Sequence, residues 1–424
     1  MLAKFSVFPT YFISATNVSK IIDSPLSNTN QSASNSWTVK ATLLLTSTLT
    51  VMSGATISPS LPAMQEYFIE VDNSALLVRL VLTIPALFIA IGGLFAGQLA
   101  DRVGRKPLLM IAAFVYGIAG ASGFILNSLG AILVGRAVLG LAVAGIMTGV
   151  TTLIADYYVG QKRADFMGLQ AAFMGLGGVV FLSVGGFIAD LNWRSPFLIY
   201  LSAWAILVAI ALFLYEPQRT VNSSGNNGAV ASSSMPLGVL AMIYGVAFFY
   251  MVAFYLIPVQ LPFYLKNISN SSASASGIAI AASTLASSIA SLRYGFVKQR
   301  FGFVSIVVGA FAIAAVGYFV IGIAGSYKIV LLGLIIAGLG FGLLMPNLNV
   351  WLSSIVSDAS RGRALGGLTT FFFLGQFVSP IISQPITNSF GLGKTYILMG
   401  IALFIVALLF FALKKPIKSW CKSC

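Results

Sequence analysis

The chain has 424 residues, 58% hydrophobic and 8% charged, with 24 Lys and Arg against 10 Asp and Glu and no His. A water-facing surface draws on roughly 25% charged residues, so this composition excludes a soluble enzyme, a nucleic-acid binder and a disordered chain. Twelve spans of ~20 residues would use about 240 positions, close to the apolar content, and the chain reads as a polytopic all-α membrane protein. The net charge of +14 then belongs to topology, because membrane proteins concentrate Lys and Arg in cytoplasmic loops.

Residues 1–36 are rich in Ser and Asn and read as a flexible cytoplasmic tail; the apolar piece from Phe5 to Ile13 is too short to span. Apolar runs of spanning length follow near 39–60, 76–99, 107–126, 130–155, 165–189, 195–215, 236–264, 273–296, 303–324, 328–353, 363–388 and 394–413. After the sixth comes a Gly/Ser/Asn-rich stretch beginning at Glu216, suited to a flexible linker. The expected organisation is a tail (1–36), an N-terminal six-helix bundle (37–215), a cytoplasmic linker (216–235), a C-terminal six-helix bundle (236–413) and a basic cytoplasmic tail (414–424). The two cysteines, Cys421 and Cys424, fall in that last tail and build no disulfide framework.

With both termini inside, cytoplasmic segments hold eighteen Lys and Arg and outside segments hold five, namely Arg79, Arg194, Lys266, Lys328 and Lys394. Arg136 alone is expected within a span. This asymmetry obeys the positive-inside rule and implies a cell-membrane protein with both termini cytoplasmic.

The halves also repeat. A shift of 198 residues pairs Gly97 with Gly295, Arg102 with Arg300, Gly104 with Gly302, Gly135 with Gly333, Gly140 with Gly338, Arg163 with Arg361, Gly168 with Gly366, Phe173 with Phe371 and Gly177 with Gly375. Two pseudo-symmetric six-helix bundles related as parallel repeats are an architecture for alternating access around a midplane site.

Between the second and third spans the chain reads Gly97-Gln-Leu-Ala-Asp101-Arg102-Val-Gly104-Arg105-Lys106. Its glycines permit a tight turn and close helix approach, and Asp101 would sit favourably near a helix N-terminus. The loop resembles the signature loop of the major facilitator superfamily, and span count, repeat and loop positions extend the resemblance over residues 39–413. The resemblance implies that Asp101 meets the start of span eleven, near Arg363 to Gly366, closing the cytoplasmic side. It implies also that Arg105 pairs with Asp156 at the inner end of span four.

Arg136 lies in Gly135-Arg136-Ala-Val-Leu-Gly140, and an Arg inside a span costs ~2.5–3.5 kcal/mol on the insertion scale. The pattern resembles the fourth-span motif of proton-coupled exporters, which implies a role in proton transfer. In span five Gly168, Gly177, Gly185 and Gly186 resemble the antiporter motif of twelve-span drug:proton exporters, although Phe181-Leu182 replaces its central Gly-Pro.

None of the ten acidic residues falls near the middle of a span. A buried cation would need such a carboxylate, so a neutral or weakly anionic amphipathic substrate is expected, with Arg136 as the one fixed cavity charge. The resemblance implies that the cavity helices supply Thr50, Ser53, Thr56, Tyr250, Tyr255, Gln260, Asn347, Asn349, Phe372 and Gln376 as candidate lining residues. Pro59, Pro62, Pro258, Pro346 and Pro380 mark expected bends.

The expectation is a monomeric transporter in a lipid bilayer that exports a small-molecule substrate in exchange for protons, without cofactor, metal or nucleic acid. An uptake carrier for an organic anion or metabolite is the alternative within transport, and a non-transporting membrane receptor the alternative outside it. Without His or paired mid-span carboxylates the chain has no acid–base machinery, so enzymatic activity is not expected.

Overall fold

The structure, a computed structural model, describes residues 36–217 and 237–414; the N-terminal tail, most of the linker and the end of the basic tail with Cys421 and Cys424 lie outside the described residues. Among the described residues twelve helices are long and apolar enough to cross a membrane. They are α1 (Trp37–Tyr67), α2 (Ser74–Val103), α3 (Arg105–Phe124), α4 (Leu129–Tyr157), α5 (Gly160–Leu191), α6 (Ser195–Phe213), α7 (Leu237–Ser269), α8 (Ala273–Leu292), α9 (Phe303–Gly322), α10 (Tyr327–Ile355), α11 (Ser360–Phe390) and α12 (Leu392–Ala412). Six precede the linker and six follow it, and no strand accompanies them among the described residues. The chain is a multi-pass all-α membrane protein.

Successive helices run in opposite directions, which sorts the loops onto two faces. One, here the basic face, carries Arg102, Arg105, Lys106, Lys162, Arg163 and Arg361, together with Lys298 and Arg300 of a short helix, Tyr294–Arg300. The opposite face carries Glu66, Asp190 and Lys266.

Helix ends follow from local chemistry. Gly104 turns the chain between α2 and α3 at a φ of 105°, a conformation that side chains resist. The first amides of α3 have no partner within the helix. Glu216 accepts from two of them, Arg105 N–H at 2.8 Å and Lys106 N–H at 2.7 Å. α1 is interrupted by a 3-10 turn at Ser58–Ser60, where Pro59 brings no amide hydrogen. α7 contains Pro258 and Pro262. A proline frees the carbonyl four residues before it, and the carbonyl so freed, that of Pro258, accepts the Ser58 hydroxyl of α1 at 2.5 Å.

Each half has its own core. One cluster of buried apolar residues runs from Val39 to Leu214 and takes in Val259; the other runs from Val239 to Ala407 and takes in Leu182. The sequence repeat reappears as a repeat of contacts. Gly140 of α4 lies against the Pro85 carbonyl of α2, and Gly338 of α10 against the Ser283 carbonyl of α8. Gly135 lies against the Ala119 carbonyl of α3, and Gly333 against the Gly317 carbonyl of α9. In both cases glycine and partner move together by the same 198-residue shift. Without a hydrophobic force between helices in lipid, such backbone approach is how they gain dispersion energy. The halves meet along two seams, α2 with α11 and α5 with α8.

Gly140→Val and Gly338→Val should each destabilise the bundle by ~1–3 kcal/mol through overpacking. Gly130→Val, at a position with nothing within 4 Å, should leave stability unchanged. Thermal unfolding of the detergent-solubilised protein measures all three.

Candidate functional site

Arg136 lies two turns into α4 and is 1% exposed. The straight part of α1 ends at Ala55, so its last carbonyls have no amide partner within the helix. One of these, the Ser53 carbonyl, accepts Nη2 of Arg136, and it also accepts the Tyr200 hydroxyl at 3.2 Å. Arg136 Nε donates to the Val81 carbonyl of α2 at 3.1 Å, and the guanidinium stands 5.1 Å from the Tyr200 ring centre. Nη1 is buried with no hydrogen-bond partner. The arginine therefore ties α1, α2 and α4 together through neutral oxygens and keeps one donor in reserve.

On the basic face Arg105 forms an ion pair with Asp156 of α4. Tyr157 beside it stacks on Tyr215 with ring centres 4.4 Å apart. With Glu216 on the first amides of α3, the signature loop is fastened to its own half. Asp101 and Arg102 stand exposed at the end of α2. Gly97 of α2 and Gly362 and Gly366 of α11, which would line a closed seam, have nothing within 4 Å of where a Cβ would stand. Between the halves here is a cavity of about 420 Å³, walled by α2 (Ile89, Gly93, Leu94), α4 (Met147, Thr148, Thr151, Thr152) and α11 (Gly366, Thr369, Thr370, Phe373). Its lining is apolar and hydroxylic, without a charged side chain.

The opposite face is bridged from half to half. Asp190 at the end of α5 accepts the Ala273 amide of α8 at 2.7 Å, and Gly186 and Gly277 bring those two helices into backbone contact. Lys266 of α7 pairs with Glu66 of α1. Arg79 of α2, 3% exposed, donates through Nε to Gln260 of α7 at 2.9 Å. Gln260 passes the connection to Ser383 and Gln384 of α11, each at 3.1 Å. This corrects two sequence expectations. Arg79 is not an outside loop charge, and Arg136 is not the one arginine within a span; the basic residue five positions past the start of α2 is folded inward by its hydrogen bonds to Gln65 and Gln260.

The candidate lining residues disperse. Tyr255 and Gln376 meet at Gly54, with the Tyr255 hydroxyl 2.8 Å from where a Cβ would stand, so α1, α7 and α11 converge there. Tyr250 packs its ring on Phe254, Phe341 and Phe372 inside the second half. Asn347, fully buried, donates to the Phe303 carbonyl at 3.1 Å and accepts from Tyr294, which commits it to packing. Thr50, Ser53 and Thr56 return their hydroxyls to carbonyls of their own helix, as Asn349 does with its amide. None of these residues lines the basic-face cavity. The residues that do include Thr148, Thr151 and Thr152, whose spacing of three and four places them on one stripe of α4, a signal present in the sequence and passed over. The glycines of α5 divide between neighbours: Gly177 and Gly185 approach α1, Gly186 approaches α8, and Gly168 faces open space.

The family pattern described as Major Facilitator Superfamily matches residues 43–242 and again 243–423. The quinolone resistance protein NorA of Staphylococcus aureus is 22% identical over 314 residues, covering 73% of this chain and 80% of NorA. Multidrug resistance protein 1 of Bacillus subtilis is 25% identical over 327 residues, covering 73% and 82%. A D-xylose–proton symporter structure superposes with a TM-score of 0.75 at 20% identity, over 88% of this chain and 97% of that one. A bacterial homologue of the human lysosomal transporter Spinster gives 0.76 at 17% identity, over 89% and 96%. Twelve helices, a repeat that extends to backbone contacts, and a family pattern matched once per half lead to one conclusion: this chain belongs to the major facilitator superfamily of membrane transporters and resembles its drug:proton antiporter branch.

Proposed function

We propose that this protein is a secondary active transporter that exports a small amphipathic compound, neutral or weakly anionic, by alternating access and in exchange for protons. The observation that carries the reading is the uncharged, hydroxyl-lined cavity between the halves on the basic face, set against the bridged seam on the opposite face. The positive-inside rule assigns the basic face to the cytoplasm of the cell membrane, so the cavity loads from inside. Similarity to two proteins named for drug resistance supports export.

In this cycle the signature loop, stiffened by Arg105, Asp156 and Glu216, is the platform on which Gly97, Asp101, Arg102 and Gly104 receive α11 when the basic face shuts. The glycines of the fifth-span motif let α5 slide along α1 and α8 at close range. Arg136 links α1, α2 and α4, and its reserved donor serves a substrate oxygen or a water in a proton path. A second reading, an uptake carrier for an organic anion, draws on one observation: the charge of Arg136 meets only neutral oxygens and so stays available to an anion.

Everted vesicles decide direction. Export predicts substrate accumulation that collapses when the proton gradient is discharged, whereas uptake confined to intact cells supports the second reading. Arg136→Ala should lower the initial transport rate at least ~10-fold, since a charged hydrogen bond is worth ~1.5–3 kcal/mol. Asp156→Asn should slow turnover while barely moving the unfolding temperature, because partly exposed ion pairs contribute ~0–1 kcal/mol to stability; transport assays paired with thermal unfolding separate the effects.

A further inference from the structure

The opposite face is held by contacts of unequal strength. The Glu66–Lys266 pair is at the rim, with side chains 63% and 39% exposed, where water screens it to ~0–1 kcal/mol. Asp190 meets the first amides of α8 in the open as well. The Arg79 contact is different. Its guanidinium is buried, donates to Gln260, Gln65 and the Ala75 carbonyl, and lies 3.8 Å from the Phe263 ring centre. These partners satisfy donors without neutralising the charge. Beside it a vestibule of about 520 Å³, lined by residues of both halves, includes Arg79, Phe263 and Gln384 in its wall. The vestibule therefore gives solvent a place next to a desolvated cation, and the fully buried Gln260 is the connection that bridges Arg79 to α11.

We infer that Arg79 is a gating residue of the transport cycle: its desolvated charge favours opening of the opposite face, and Gln260 is the latch that holds that face shut. Opening lets vestibule water replace amide oxygens around the guanidinium and recovers its hydration. Two consequences follow from the difference between breaking a buried polar contact and deleting it. Removing Gln260 alone leaves the cation buried with a lost partner, a costly arrangement that hydration relieves. Removing both residues leaves a seam with no buried charge to hydrate, and the face stays shut. The inference rests on the halves rocking, and it is independent of substrate and direction.

Spin labels at Asp72→Cys and Ser269→Cys, in a Cys421→Ser/Cys424→Ser background, report the gap between α1–α2 and α7 on this face by pulsed dipolar spectroscopy of substrate-free protein. Gln260→Leu should raise the ratio of long to short distances about tenfold, the factor that ~1.4 kcal/mol represents. Arg79→Met/Gln260→Leu should return it to the parent ratio or below. Gln384→Ala, which leaves Arg79 and Gln260 in place, should shift the ratio in the same direction as Gln260→Leu but less. An unchanged ratio in monodisperse Gln260→Leu, or a double variant as open as the single, overturns the inference. Expected distance shifts combined with failed efflux would instead count against the proposed substrate and direction.

Discussion

A guanidinium that leaves water must be met by oxygen, and this protein meets two of them with neutral oxygen only. Arg136 is held by the carbonyls of Ser53 and Val81, and Arg79 by two glutamine oxygens and a carbonyl. Val81 and Arg79 are two residues apart on α2, so both arginines act on the same stretch of one helix. Neutral oxygens fix a position in space without cancelling charge. Carboxylates, by contrast, stay at the faces, in Asp156, Glu66 and Asp190, where water screens them. The result is a membrane interior with fixed positive charge and, among the ion pairs described, no fixed negative charge set against it.

The arginine contacts depend on breaks in the helices. α1 stops short at Ala55, and the carbonyls thereby released become the acceptors for Arg136 and Tyr200. Pro262 does the same for the Pro258 carbonyl, which Ser58 takes up. In lipid a freed backbone group has to find a partner within the protein, and at Ser53 and Pro258 that partner comes from another helix. A break that weakens a helix locally thus fastens it to its neighbours.

The two halves pack alike, through glycines that bring α4 onto α2 and α10 onto α8, yet the two faces differ. Backbone approach within each half is nearly independent of how the halves tilt, because dispersion between close helices needs no polar partner. The seams are another matter. The hydrogen bonds that join the halves from Arg79 to Gln260 and from Asp190 to the Ala273 amide depend on that tilt, and they hold the face opposite the cavity. Rigid halves joined by breakable polar seams are the mechanical requirement for alternating access.

Span number, division into halves and superfamily were all legible in the chain. Hydrophobic length is a local property, and the 198-residue repeat is written as glycine and arginine spacing. The cavity was much less so. Asn347 and Tyr250 look like lining residues by type, but helix rotation turns them into the second half, while three threonines of α4 face the gap. Arg79 reads as a loop charge until α7 supplies Gln260 as its partner. By itself the sequence determined that there are twelve helices and that they form two related sets, because lipid imposes length and apolarity residue by residue. Only the tertiary structure decided which polar groups share a cavity and which lock a seam, because that depends on the rotation of each helix and the tilt between halves, set by contacts between residues far apart in the chain.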